Sequence, residues 1–330
     1  MKYLILALIM ISTSTWAIPE NDFKKVWLNE ALPYFRSFSK GHLTNAQGMK
    51  LRYYFNVSPH HHKNLVISPG RTEPAIKYAE LVYDLKDSGF NIFILDHQGQ
   101  GESGRQLKDP HKGHVIYFSH YVRDFSQFIE EIVTPHSQKE TYLIGHSMGG
   151  AIATHFMSKN PEFFTKAALS APMFEMDTNP YSESVARLFS EFLVLTKQGS
   201  KYAPDRGPYI PEEDTFEKND VTQSLPRFWV NKFLFTSYPY LALGGPTARW
   251  VNQNLKATKG IPSLASGIKT PILLLQAGKD QVVKPRRQET FCQRGNCQLV
   301  TYPESFHEIL MEKDSIRDEA LREIRIFFGF

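Results

Sequence analysis

Short apolar runs along this chain alternate with stretches in which apolar residues recur every three or four positions. The runs KLRYYFNV (50–57), NLVISPG (64–70), FNIFILD (90–96), TYLIGHS (141–147), KAALSAP (166–172), TPILLLQAG (270–278) and CQLVTYP (297–303) read as strands. Between the second and third, Ile76, Ala79, Val82 and Leu85 mark one face of a helix. Tyr121, Val122, Phe125, Phe128, Ile129 and Ile132 mark another. Continuous apolar strands separated by amphipathic helices predict an α/β fold: a mostly parallel sheet with helices on both faces. Ligands of such sheets bind at the carboxyl ends of the strands.

One segment breaks the alternation. Residues 173–250 hold no clear buried strand. They carry instead an amphipathic helix (Val185, Leu188, Phe189, Phe192, Leu193), a Pro-rich polar stretch, and the aromatic run RFWVNKFLFTSYPYLALGG. The segment reads as a helical cap inserted over the sheet, its apolar faces packing on the core or lining an apolar channel. The resulting division is 18–172 and 251–330 for the two parts of the core and 173–250 for the cap.

The first 17 residues read differently. Lys2, the apolar run Tyr3 to Ile11, a Ser/Thr stretch and Thr15-Trp16-Ala17 have the order of a secretory signal peptide. The run is shorter than the ~20 apolar residues a bilayer span needs. Cleavage after Ala17 and export, to the periplasm or beyond, are expected. The only two cysteines, Cys292 and Cys297, flank the turn-forming Gly295-Asn296, and in an exported protein they read as a local disulfide. A formal charge of +4 over 330 residues, without a Lys/Arg block, gives no reason to expect a nucleic-acid partner.

The chemistry gathers at predicted strand ends. In YLIGHSMGGAI (142–152) a strand runs into Gly-His-Ser-Met-Gly and then into a helix. That is the nucleophile elbow of α/β-hydrolases, which holds a serine, here Ser147, above the sheet edge. A serine hydroxyl is a weak nucleophile and needs a base, which in turn needs an orienting acid. In this fold the chain order is Ser, acid, His. Asp280 follows one predicted strand and His307 follows the next. The other histidines fit less well: His146 sits on the tight turn pointing away from the serine, and His155 lies within the helix. Asp96 precedes Ser147 in the chain and reads as the organiser of the DHQGQGESG loop. The tetrahedral intermediate also needs donors for its oxyanion. The backbone N–H groups of Met148 and of Arg71, in ISPGRTEP, are the candidates.

The segments PGRTEPAIKYAELVYDL, DHQGQGESGR, GHSMGGAIA, GGPTARWV and FHEILMEKD resemble the bacterial lysophospholipase and monoacylglycerol lipase group of α/β-hydrolases, nearest to its lysophospholipase branch. The likeness spans nearly all of the chain after the leader. It implies a capped α/β-hydrolase fold and cleavage of single-acyl lipids without metal or cofactor. It also implies triad roles for Ser147, Asp280 and His307, and oxyanion roles for Arg71 and Met148. Where the lipase branch has His-Gly in the oxyanion loop, this chain has Pro69-Gly70. The expected activity is therefore a serine carboxylic-ester hydrolase acting on lysophospholipids or other monoacyl lipids, with transient contact of the cap with a membrane surface. A small-ester hydrolase or peptidase of the same fold is the alternative enzyme, and a silent lipid-binding protein is the alternative outside catalysis.

Overall fold

The computed structural model describes residues 17–136 and 140–330. The signal-peptide reading falls, apart from Ala17, outside the described residues. Eight strands form one sheet: β1 (Ser39–Thr44), β2 (Lys50–Asn56), β3 (Lys63–Ser68), β4 (Phe90–Leu95), β5 (Glu140–His146), β6 (Lys166–Ser170), β7 (Ile272–Ala277) and β8 (Cys297–Tyr302). Their spatial order is β1-β2-β4-β3-β5-β6-β7-β8. β1 and β2 run antiparallel to their neighbours, and β3 to β8 are parallel.

The helices are α1 (Phe23–Val26), α2 (Leu32–Arg36), α3 (Ala79–Asp84), α4 (Phe118–Phe128), α5 (Ser147–Lys159), α6 (Glu183–Leu195), α7 (Leu225–Ser237), α8 (Ala248–Lys259), α9 (Ile261–Leu264), α10 (Arg286–Arg294) and α11 (Asp314–Phe328). A π-helical turn over Trp27–Ala31 joins α1 to α2, and a 3-10 turn over Ala75–Tyr78 leads into α3.

The continuous apolar runs are explained by burial on both faces. β4 and β7 are buried at every position. Alternate residues feed two cores, because successive side chains point to opposite faces of a strand. Leu65, Ile67, Ile92, Ile94, Leu273 and Leu275 meet the N-terminal helical arm, α3 and α11. Val66, Phe93, Leu95, Ile272 and Leu274 meet α4, α5 and α10. The helical arm and β1 were not read from the sequence. β1 is a sheet-edge strand with one buried residue, Leu43, so it carries no apolar run.

Between β6 and β7 the described elements are helical. α8 passes through residue 250, where the sequence reading ends the cap. The apolar stripe of α6 departs from expectation. Val185, Leu188, Phe189 and Phe192 are 50, 61, 47 and 57% exposed, so this face neither packs on the core nor lines a channel. The helix rests on α8 through its other side, where Asn252 reaches the buried Ser190 hydroxyl at 3.5 Å and Lys256 pairs with Glu191 at 2.9 Å. The aromatic run of α7 divides. Trp229 and Phe233 pack edge-on against Trp27 of the helical arm, with ring centroids 5.9 and 5.8 Å away. Phe228 and Phe235 line a cavity of about 270 Å³ that also touches Thr72 and Glu308.

Candidate active site

β3 and β5 are neighbours in register, with Ser68 opposite Gly145. The loop after β3 and the turn after β5 therefore leave the sheet side by side. Ser147 takes φ +47°, a left-handed conformation that costs an ordinary residue energy. Close packing holds it there: a Cβ on Gly149 would stand 2.0 Å from the Ser68 carbonyl oxygen, and one on Gly150 would stand 2.8 Å from Pro172 Cβ. Only glycine lets α5 start this near β3.

His307 follows β8 and Asp280 follows β7, so both reach the same edge from the adjacent pair of strands. His307 Nε2 lies 2.9 Å from Ser147 Oγ, and His307 Nδ1 lies 2.7 Å from Asp280 Oδ2. The other oxygen of Asp280 accepts the N–H groups of Val282 and Val283 at 2.8 and 2.9 Å, which fixes the carboxylate's orientation. With Nδ1 donating to Asp280, Nε2 is left to accept from the serine hydroxyl. All three side chains are buried or nearly so.

Met148 is the second residue of α5, where a backbone N–H has no intrahelical carbonyl. Arg71 follows Gly70 at the tip of the neighbouring loop. Its side chain does unforeseen work. The guanidinium donates to the Gly244 carbonyl and lies 5.2 Å over the Trp250 ring, tying the loop after β3 to α8 and the segment before it. Burial lowers its pKa to about 10.

Behind this loop lies a buried ionic cluster that sequence reasoning missed. Glu73 Oε2 accepts from Gly70 N at 2.5 Å, Tyr78 Oη at 2.6 Å and His146 Nδ1 at 2.9 Å. Glu73 Oε1 accepts from Lys77 Nζ at 2.7 Å, and Lys77 also holds Glu308 at 2.5 Å. His146 turns its Nδ1 to Glu73, and its ring lies 4.9 Å from that of His307. Burial opposes the charges of Glu73, Lys77 and His146, but their partners outweigh it. Glu73 is held well below the usual carboxylate range by His146 and Lys77, and His146 is raised by Glu73. The i,i+4 spacing of Glu73 and Lys77 was the available signal. On a solvated helix such a pair would mean little.

The remaining candidates take structural places. Asp96 accepts from Ala75 N and Glu102 N, both at 2.7 Å, and so shapes its loop. His155 caps the Ala257 carbonyl at 3.2 Å. Among the described residues no three His, Cys, Asp or Glu side chains gather as a metal site would require. Cys292, at the end of α10, and Cys297, opening β8, have Cα atoms 4.7 Å apart, within disulfide span.

Comparison with known proteins gives this arrangement its context. Residues 59–314 match the Hydrolase_4 family, described as serine aminopeptidase, S33. Lysophospholipase L2 of Escherichia coli (strain K12) is 35% identical over 325 residues, covering 95% of this chain and 94% of that protein. The chain belongs to the Hydrolase_4 family of α/β-hydrolases. This hydrolase is also 32% identical to the probable lysophospholipase L2 of Haemophilus influenzae, over 94% of its own length and 99% of the relative's. Mouse monoglyceride lipase is 25% identical, over 86% and 88% of the two chains. Among solved structures, a thermostable carboxyl esterase from Bacillus coagulans superposes with TM-score 0.72 over 88% of this chain and 98% of that one, at 17% identity. A monoglyceride lipase from Saccharomyces cerevisiae gives 0.67 over 88% and 94%, also at 17%. The hydrolase is thus an ester hydrolase by family and a member of the lysophospholipase and monoacylglycerol lipase group.

Proposed function

We propose that this protein cleaves the carboxylic ester of lysophospholipids or other single-acyl lipids by a Ser-His-Asp mechanism. The reading is carried by the chain of contacts from Ser147 through His307 to Asp280, 2.9 and 2.7 Å long. His307 Nε2 takes the proton as Ser147 Oγ attacks the acyl carbon. The N–H groups of Met148 and Arg71 receive the oxyanion, and His307 passes its proton to the departing alcohol oxygen. Water then attacks the acyl-enzyme with His307 again as base, which frees the fatty acid and restores the serine. Asp280 holds the ring and balances the charge His307 carries between these steps.

The substrate class is supported by the relatives' names and by two features of the cap. The cavity beside Thr72 and Glu308 has apolar walls at Phe228, Phe235 and Leu243, next to the loops that carry Arg71 and His307. The exposed apolar face of α6 suits transient contact with a lipid surface, where single-acyl lipids are held. The leader read in residues 1–17 adds export to the proposal. A peptidase reading draws only on the family's description.

The deciding experiment uses the purified chain with lysophosphatidylcholine, a monoacylglycerol and a peptide amide. Fatty acid release from the lipids, together with fluorophosphonate labelling that Ser147→Ala abolishes, is expected. Lipid cleavage by Ser147→Ala at near the wild-type rate would overturn the reading.

A further inference from the structure

The backbone nitrogen of Ile18 donates to Asp84 Oδ1 at 3.2 Å, and the Ile18 carbonyl accepts from Arg227 Nη2 at 2.9 Å. Ala17 and Ile18 are both buried. Their surroundings are ionic. Asp84 Oδ2 is held by Arg317 at 2.6 Å. Arg227 pairs with Glu80 and with Asp314, each at 2.9 Å, and Arg317 reaches Glu80 at 3.3 Å. Three carboxylates, Glu80, Asp84 and Asp314, thus rest on two guanidiniums. Asp318, nearer the surface, adds negative charge to the same cluster. At its rim, Glu20 N donates to Asp314 Oδ2 at 2.8 Å, and the Glu20 side chain accepts the Ser224 hydroxyl at 2.5 Å.

The position of Ile18 gives this imbalance a meaning. The leader read in the sequence ends at Ala17, so Ile18 is the residue that processing would expose. We propose that hydrolysis of the Ala17–Ile18 peptide bond converts the Ile18 nitrogen into an α-ammonium that docks on Asp84 and balances the buried cluster. One water is consumed: its oxygen leaves on the Ala17 carboxylate with the leader, and the amine stays on Ile18 and is protonated. As an amide, Ile18 offers Asp84 one neutral donor. As an ammonium it offers three donors and a full charge at the same point, and charge-assisted hydrogen bonds are roughly twice as strong as neutral ones. Burial, with the nearby charge of Glu80, pushes the Asp84 carboxyl upward, and Arg317 only partly offsets it. Among the described residues, Arg227 and Arg317 are the cations paired with these carboxylates.

The consequence reaches the active site through one short helix. Asp84 closes α3, and the 3-10 turn leading into α3 carries Lys77 and Tyr78, the partners of Glu73. A docked terminus pins the far end of the element on which the oxyanion loop leans.

The proposal rests on the export reading, and its two halves are tested apart. Intact mass and N-terminal sequencing of the exported protein are expected to give Ile18 as the first residue. Any other first residue overturns the cleavage. Docking is tested on purified chains released from a fusion, one beginning at Ile18 and one still carrying Ser12–Ala17. The chain beginning at Ile18 is expected to melt about 3–6 °C higher at pH 7. Asp84→Asn should erase that difference. Equal melting of the two wild-type chains overturns the docking even where Ile18 is the natural terminus. Where Asp84→Asn prevents folding, amine-reactive labelling of the native Ile18 chain decides. A docked amine reacts roughly tenfold or more slowly than in denaturant, because it must open first; equal rates refute it.

Discussion

Glu73 and His146 meet inside the protein at 2.9 Å, and through that contact the loop after β3 is locked to the turn that carries Ser147. The same carboxylate oxygen accepts the Gly70 N–H at 2.5 Å, one residue before Arg71. Through Lys77 the carboxylate also holds Glu308, the neighbour of His307. Ser147, His307 and the Arg71 N–H, the proposed nucleophile, base and oxyanion donor, come from three separate loops, and this ionic cluster ties those loops together.

Glu73→Gln keeps the shape but puts an amide where donors converge. Misplacing reacting groups by about 1 Å costs on the order of 10²-fold, so kcat per fluorophosphonate-titrated site should fall by about 10- to 100-fold, with KM little changed. A purely structural role would lower the number of titratable sites and leave the turnover of each one intact. Steady-state kinetics normalised to labelled serine separates the two.

The pair also predicts a pH dependence of stability. His146 is raised above its ordinary 6.5, so its contribution is complete below about pH 6.5 and is lost as pH rises through its folded value. Glu73 is lowered from 4.5, so its share is present above about pH 4.5 and lost as acid titrates it in the fold. Melting temperature against pH should therefore peak between these limits. The alkaline decline should shrink in His146→Gln, measured by scanning calorimetry; an unchanged profile would disprove the charged pair.

The exposed stripe of α6 gives a prediction specific to lipid surfaces. Leu188→Ser with Phe192→Ser removes apolar area from a face that is already in water, so folding stability should change little. Activity on soluble p-nitrophenyl acetate should be retained, while vesicle binding and activity on vesicle-borne lysophospholipid should drop several-fold. Flotation with liposomes and parallel assays test this; equal losses on both substrates would contradict it.

Cys292 lies in α10 and Cys297 opens β8, the strand that leads to His307. In the loop-closure model, cross-linking so short a loop contributes about 2 kcal/mol. Reduction should lower the melting temperature by a few degrees and spare esterase activity at low temperature. Mass spectrometry with alkylation before and after reduction measures the bond itself, and two thiols alkylated without reductant would rule it out.

How far the sequence reached depended on the range of the interaction. Strand runs, helix stripes and the Gly-x-Ser-x-Gly turn are local, because side-chain direction repeats every two or 3.6 residues and a tight turn needs its own glycines. These features sufficed for the parallel sheet and for bringing Ser147, Asp280 and His307 to one place, since residues just beyond parallel strands emerge at one edge. β1 escaped because an edge strand with one buried residue has no pattern to read, whereas the helical arm does carry a buried stripe, Phe23, Trp27, Ala31 and Phe35, at helical spacing.

Only the tertiary structure decided what stands behind and around that edge. Lys77 meets Glu308 across 231 positions and Ile18 meets Asp84 across 66, and no periodicity links such partners. The buried charges of Glu73, Lys77 and Arg227 read as solvated ones in a sequence, because pairing inside the core depends on which elements pack together. The same holds for α6: its stripe states that one face is apolar, but its packing on α8 turned that face to the outside.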